Sequence, residues 1–212
     1  WRENCVTLLW QQNKNKEGSP YIVKYNLKGE FISKHLLKKI FIPLILGRHK
    51  NLIIIGGIGV IEGPNEGLSV NIGAFDTEKN DFQIIIDNVV LHEEIKFNTY
   101  VRILSGLVEK DNLYVVVTSD KKFRDTNHTK NIAHYHVLKH NFSNQSTQVF
   151  NLPVKPSNRY FPRYRSFILN IEGKIHVFIS TDRNSGGRQS GLGMFTEHYV
   201  LIDDEFVLKK VY

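Results

Sequence analysis

Apolar and polar residues alternate in short runs along most of this chain, and Gly, Asn, Asp and Lys punctuate the runs. Alternation over four to eight residues between such turns predicts half-buried strands joined in hairpins. The pattern also repeats. EKDNLYVVVTSDKK (109–122) and IEGKIHVFISTDRN (171–184) both pass from an acidic turn into alternating apolar positions, and both close on a Ser/Thr pair followed by Asp. Taking Leu113 and Ile175 as equivalent, Leu52 in HKNLIIIGG occupies the same place, with spacings of 61 and 62 residues. Cys5 in RENCVTLLW precedes Leu52 by 47. A further strand follows each anchor, carrying Tyr25, Phe75, Tyr135 or Tyr199 at distances of 20, 23, 22 and 24 residues. Each then turns into a short outer strand such as FQIII (82–86) or FVLKKVY (206–212).

One more apolar stretch precedes three of the four anchors, at 41–51, 101–112 and 163–174. Each unit is therefore expected to be a meander of four antiparallel strands, with unit boundaries at about 1–40, 41–95, 96–157 and 158–212. KHLLKKIF (34–41) is the one stretch that suits a turn of helix. Repeated four-stranded units predict an all-β fold, the β-propeller, in which blades pack face to face around a channel. Four units with only three first strands fit either a four-bladed ring or part of a ring of five to seven blades. The larger ring is the expectation, because an open arc leaves unpaired edges and bare blade faces.

Composition narrows the class. The 212 residues are 41% hydrophobic and 23% charged, a globular rather than a disordered balance. A single cysteine, Cys5, excludes an internal disulfide framework and a cysteine-based zinc site, and its apolar strand makes it an expected core residue. The longest apolar run, 52–61, is too short to cross a bilayer and holds three glycines. The chain begins at Trp1, which suggests an excerpt or a processed chain. Sequons at Asn127, Asn141 and Asn144 suit a secreted surface. The formal charge of +7 fits either an acidic partner, that is nucleic acid, a sulfated or sialylated glycan or an acidic protein face, or a solvated lysine-rich surface. No dense basic block suggests a nucleic-acid arm.

The candidate chemistry lies mostly in arginines. Arg163, Arg165 and Phe167 alternate onto one face of a first strand, which in a propeller lines the channel. Their guanidinium forks suit carboxylate, sulfate or phosphate, or acidic residues of the next blade. Arg124 lies in the polar segment 121–130, and Arg183 and Arg188 lie in 183–191, the two loops best suited to contact a ligand. Asp120 and Asp182 end equivalent strands, either as carboxylates for chemistry or as acceptors for backbone N–H groups in a turn. His134 and His136 share a strand face, but no third ligand accompanies them, so neither a metal nor a cofactor is expected. The nearby His198 reads as the same position in the next unit. GGIGVIEG (56–63) reads as a blade loop, since no helix follows to present N–H groups to a phosphate.

VRILSGLVEKDNLYVVVTSDKK (101–122) resembles the opening blade of sialidases and trans-sialidases, in which a Phe-Arg-Ile-Pro-like strand leads through a turn into a strand ending near an acidic residue. GAFDTEKNDF and YNLKGEF, read as second-to-third hairpins, are similar to degenerate Asp boxes. The resemblance implies that Arg102 helps to bind a substrate carboxylate, that Arg163 or Arg165 occupies the corresponding strand one blade on, and that Asp120 stands near the family's acidic residue. No unit carries a full Asp box, Pro is absent after Ile103, and no position matches the family's nucleophilic tyrosine or its glutamate partner. Two functions stay open: a non-catalytic propeller that binds an acidic glycan or protein, and a sialidase-like glycoside hydrolase.

Overall fold

The computed structural model describes residues 4–12, 18–61, 67–89, 91, 100–124, 129–154, 166–182 and 194–212. These form fifteen strands in four antiparallel sheets. Sheet one is β1 (Asn4–Gln12), β2 (Gly18–Asn26) and β3 (Phe31–Leu36). Sheet two is β4 (Phe41–His49), β5 (Leu52–Ile61), β6 (Gly67–Asp76) and β7 (Asp81–Val89). Sheet three is β8 (Tyr100–Glu109), β9 (Asn112–Arg124), β10 (Thr129–Asn141) and β11 (Thr147–Leu152). Sheet four is β12 (Ser166–Ile171), β13 (Lys174–Asp182), β14 (Met194–Ile202) and β15 (Glu205–Val211). Strand order follows chain order throughout, so each sheet is a meander of the β-propeller type, and among the described residues the first sheet has three strands where the others have four.

Two-residue turns set the true register. Lys50-Asn51, Lys110-Asp111 and Glu172-Gly173 join first to second strands, and Lys50, Lys110 and Glu172 all have positive φ, between 52° and 56°. Positive φ at the first turn residue matches the twist of the flanking strands. Counted from these turns, the equivalent of Leu113 and Ile175 is Ile53, and Leu52 is one residue out; Cys5 matches them by its pairing with Tyr25, as Ile53 pairs with Phe75 and Leu113 with His140. A one-residue slip reverses the face: Leu52 packs toward sheet three, whereas Ile53 packs toward sheet one. The aromatic series needs a similar correction. Tyr25 and Phe75 directly precede the Asx-capped turns at Asn26 and Asp76, but in sheet three that place belongs to His140, and Tyr135 lies further back.

Three cores join successive sheets. Ile22, Leu37, Ile40, Ile53, Ile55 and Phe75 bury together between sheets one and two. Leu46, Ile54, Ile72, Ile103, Val115 and Val117 do so between sheets two and three. Tyr114, Val116, Val137, Ile168, Val177 and Tyr199 fill the seam between sheets three and four. Sheets two and three are thus buried on both faces, which explains the nearly continuous apolar runs LIIIGGIGVI and LYVVV. The first strands converge: β8 packs against β4 on one side and β12 on the other. A Cβ on Gly106 would stand 2.7 Å from the Cβ of Leu46, so glycine permits this approach.

Three expectations change. Residues 34–41 form no helical turn: β3 runs to Leu36, and a tight turn through Lys38 and Lys39 buries Leu37 and Ile40 before β4 begins. Gly56, Gly57 and Gly59 of GGIGVIEG are not in a loop but inside β5, where Gly56 leaves room for Ile103 and Leu46 across the seam; Gly63 lies outside the described residues. Cys5 is exposed rather than in a core, because it points away from sheet two while its neighbours Val6 and Leu8 pack toward it.

Candidate functional site

The meander sorts the chain by ends. Turns from first to second and from third to fourth strands lie on one rim, and connections from second to third strands, with the links between sheets, lie on the other. Residues near this second rim include the start of β8 and the ends of β9 and β13, so the topology collects Arg102, Asp120, Arg124 and Asp182 there. The degenerate boxes YNLKGEF and GAFDTEKNDF fall instead on the first rim, at third-to-fourth turns. There Asp76 Oδ1 accepts the N–H groups of Glu78 and Lys79, and Asn26 Oδ1 accepts those of Lys28 and Glu30. These donors hold the Asp76 carboxyl below the usual carboxylate range, the bond from Lys79 contributing most.

Arg102 is exposed on β8, the innermost strand of its sheet, opposite Thr118. Register places Arg102 and Thr118 on the face turned toward sheet four. Thr118 is fully buried, and its Oγ1 has no hydrogen-bond partner. Across the seam Ser105 Oγ lies 2.6 Å from Ser166 Oγ, bonding β8 directly to β12. Sheet four presents Glu197 and Tyr199 to the same seam, opposite Ile179 and Val177. Both are wholly buried, and the Tyr199 hydroxyl donates to the Glu197 carboxylate. An acid and a phenol two residues apart on β14, with Arg102 on the neighbouring inner strand, form the main polar feature of this seam among the described residues.

Sequence reasoning singled out Arg102 and missed Glu197. The signal was there: in TEHYVL a carboxylate occupies an alternation position that its neighbour Tyr199 shows to be core. Asp182 and Arg124 end described strands, opposite Met194 and Thr129, whereas Asp120, expected to end its strand as Asp182 does, lies inside β9 opposite Ala133 because pairing with β10 continues to Arg124; the side chains of all three lie outside the described residues. Arg163, Arg165, Arg183 and Arg188 lie outside the described residues altogether. The segment 121–130 is not a long loop: β9 and β10 continue as a paired arm to Arg124 and Thr129, leaving only 125–128 between them.

His136 and His198 make structural contacts. His136 is buried with both ring nitrogens engaged, Nδ1 2.7 Å from Asn151 Oδ1 and Nε2 3.1 Å from Ser119 Oγ. Neither nitrogen is left for a metal, and the described residues hold no group of three potential ligands. His198 is not its repeat equivalent, since it lies on the opposite face of its sheet. Its Nε2 is 2.8 Å from His176 Nδ1, and its ring stacks on Phe178 at 4.4 Å. Desolvation first, then the charges of His176 and Lys209, lower its pKa below the usual histidine value.

No protein-family model matches the chain, and no curated protein matches it in sequence. Among solved structures it is similar to the GH32 β-fructofuranosidase BmSUC1 of Bombyx mori, with a TM-score of 0.55 at 12% identity over 99% of this chain. A mutant of that enzyme in complex with sucrose superposes with a TM-score of 0.48 at 13% identity over 97% of this chain and 46% of that one. This chain spans about half (47%) of the length of the first. At that identity the likeness is one of fold, a propeller fold resembling that of a glycoside hydrolase.

Proposed function

We propose that the protein is a non-catalytic propeller module that binds an acidic glycan or protein at the rim where Arg102 emerges. The carrying observation is Arg102, a guanidinium exposed on an innermost strand, where a channel ligand would meet it. A guanidinium fork takes carboxylate or sulfate through paired hydrogen bonds, and the formal charge of +7 favours approach of an anion. The sequence supplies further guanidinium groups of the same chemistry at Arg124, Arg163, Arg165, Arg183 and Arg188. The buried state of Glu197 supports binding over catalysis, since a carboxylate sealed by the Tyr199 hydroxyl holds the seam rather than meeting solvent.

The test is binding to an array of sialylated, sulfated and neutral glycans. Retention of acidic glycans, lost at least tenfold in Arg102→Ala with an unchanged melting temperature, is the expected result. Equal binding by Arg102→Ala would remove the rim from consideration.

The second reading is glycoside hydrolysis, sialidase-like in its resemblance, and one feature favours it: Glu197 and Tyr199 form a hydrogen-bonded acid–phenol pair on the face turned toward Arg102. Release of a fluorogenic aglycone from a sialoside, or of fructose from sucrose, would support it if Tyr199→Phe abolished turnover in a folded protein.

A further inference from the structure

Two sequons stand back to back between β10 and β11, Asn141-Phe142-Ser143 and Asn144-Gln145-Ser146, and the fold treats them differently. N-glycosylation joins an oligosaccharide to the side-chain nitrogen of Asn, and the bulky product belongs on a surface segment. The state of that nitrogen, and of the hydroxyl two residues on, therefore decides which sequon a folded chain can carry modified.

The first sequon is committed to the fold at each of its three residues. Asn141 is half-buried, and its Nδ2 donates to Asn112 Oδ1 at 3.1 Å across the β9–β10 pair. Its Oδ1 accepts the N–H groups of Ser143 and Asn144, both at 3.0 Å, and so caps the turn. The Phe142 ring stacks on His49 of sheet two with centroids 4.3 Å apart, and its N–H donates to Asp111 O at 2.8 Å. The Ser143 hydroxyl joins His49, the stronger partner, at the Asp111 carboxylate. A sugar on Asn141 would crowd the bond to Asn112 and the cap beside it.

The second sequon is bonded only within its own turn. Asn144, Gln145 and Ser146 are all exposed. Asn144 Oδ1 accepts the Ser146 N–H at 3.0 Å and the Ser146 hydroxyl at 2.7 Å, so the carboxamide and the hydroxyl of the sequon already lie together. Asn144 Nδ2 donates to no described residue. Glycosylation replaces one hydrogen on that nitrogen and leaves Oδ1 untouched, so both bonds survive it. Beyond Ser146 the chain enters β11, the outer edge strand of sheet three, where Thr147, Gln148 and Val149 are exposed. A bulky group at this corner projects into solvent.

We propose that Asn144 carries an N-linked oligosaccharide and that Asn141, three residues before it, stays unmodified. The donor is an oligosaccharide held on a polyprenol pyrophosphate. Asn144 Nδ2 attacks the anomeric carbon, and a C–N bond forms as the bond from that carbon to the pyrophosphate oxygen breaks. The lipid pyrophosphate leaves with the electron pair, and the amide gives one proton to a base of the transferase. Transfer can precede folding, but the fold then selects, because only the chain modified at Asn144 keeps every bond of the turn. This turn lies on the rim opposite Arg102, so the oligosaccharide leaves the proposed binding rim clear and either reading can fail without the other.

The experiment is expression of the 212-residue chain in insect cells behind a cleavable secretion leader. Asn127, which lies outside the described residues, is removed as an acceptor by Asn127→Gln. Folded protein from medium and cells is digested with peptide N-glycosidase in heavy-oxygen water, and mass spectrometry finds each formerly occupied Asn as labelled Asp. Occupancy at Asn144 at least tenfold above that at Asn141 is expected. Asn144→Gln should abolish the modification and leave Asn141 bare. Ser146→Ala, which keeps Asn144 itself, should abolish it as well, and Asn141→Gln should leave it in place. A bare Asn144 in the folded chain, or occupancy of Asn141 equal to or above that of Asn144, would overturn the proposal.

Discussion

Single residues tie the sheets of this protein to one another at the rim of tight turns. Lys24, only 7% exposed, reaches from sheet one to donate to Thr77 O at 2.7 Å and Asn80 Oδ1 at 3.0 Å. His49 Nε2 meets Asp111 Oδ1 at 3.0 Å between sheets two and three, and its ring stacks on Phe142 at 4.3 Å. Lys139 and Asp204, 3.4 Å apart, link sheets three and four, but Asp204 is well exposed and the pair adds little. Lys24 matters most, since buried charge needs all its partners. Lys24→Met keeps the stem and strips the ammonium from two acceptors, so it should cost about 1–3 kcal/mol in chemical denaturation. An unchanged midpoint would mean that water replaces the ammonium.

Titration acts at the same scale. Desolvation lowers the pKa of His140, whose Nδ1 is 2.9 Å from Thr147 Oγ1, and it leads the causes that lower His198. In both cases the unfolded chain takes up a proton more readily than the folded one. Stability should therefore hold above the ordinary histidine value of 6.5 and fall as pH drops below it toward the lowered folded values. A second loss follows below the carboxylate range. The Asp111 carboxyl is held down chiefly by its bond from His49, and Asp76 by its turn N–H groups, so both lose their contribution as pH falls through their lowered values. Urea midpoints measured from pH 8 to pH 3 should show both declines. His140→Phe should flatten the first, and a profile unchanged by it would reject the assignment.

At the scale of elements, glycine inside strands decides how closely the first strands converge. A Cβ on Gly106 would meet the Leu46 side chain at 2.7 Å and its Cα at 3.1 Å, and one on Gly47 would meet Val108 at 2.7 Å. Gly106→Ala therefore forces β4 and β8 apart and should destabilise by about 1–3 kcal/mol, as overpacking does. Gly29, which has φ of 81° in the β2–β3 turn, has open space around its would-be Cβ, so Gly29→Ala tests backbone strain without crowding. A smaller loss for Gly29→Ala than for Gly106→Ala is the expected order in thermal melts.

For the whole molecule, the last sheet is the informative one. Its inner face belongs to the seam with sheet three, but its outer face carries Phe167, Leu169 and Ile171, which are 63%, 48% and 42% exposed. The corresponding faces of sheets two and three are interblade cores. Among the described residues no core joins sheet four to sheet one. A bare apolar sheet face associates in water. The 212-residue chain should self-associate at micromolar concentration, and Phe167→Ser with Leu169→Ser should shift it toward monomer in sedimentation velocity. A monomeric parent chain would show that this face is covered in some other way.

Alternation and turn chemistry were enough to determine the all-β class and the four-unit repeat. Those features are local: the period of two and the turn residues are set within a few positions of each residue. Tertiary structure decided what depends on neighbouring sheets. The face of each strand follows from two-residue turns that a one-residue misreading inverts, which is why Ile53, not Leu52, matches Leu113. The glycines of β5 look like a loop until the packing of Ile103 and Leu46 against Gly56 shows why a strand needs them. Cys5 reads as core until its sheet proves bare on that side. Arg102 was legible because a charge in an apolar strand stands out. The pairing of Glu197 with Tyr199, and its position across the seam from Arg102, arises only when separate sheets meet.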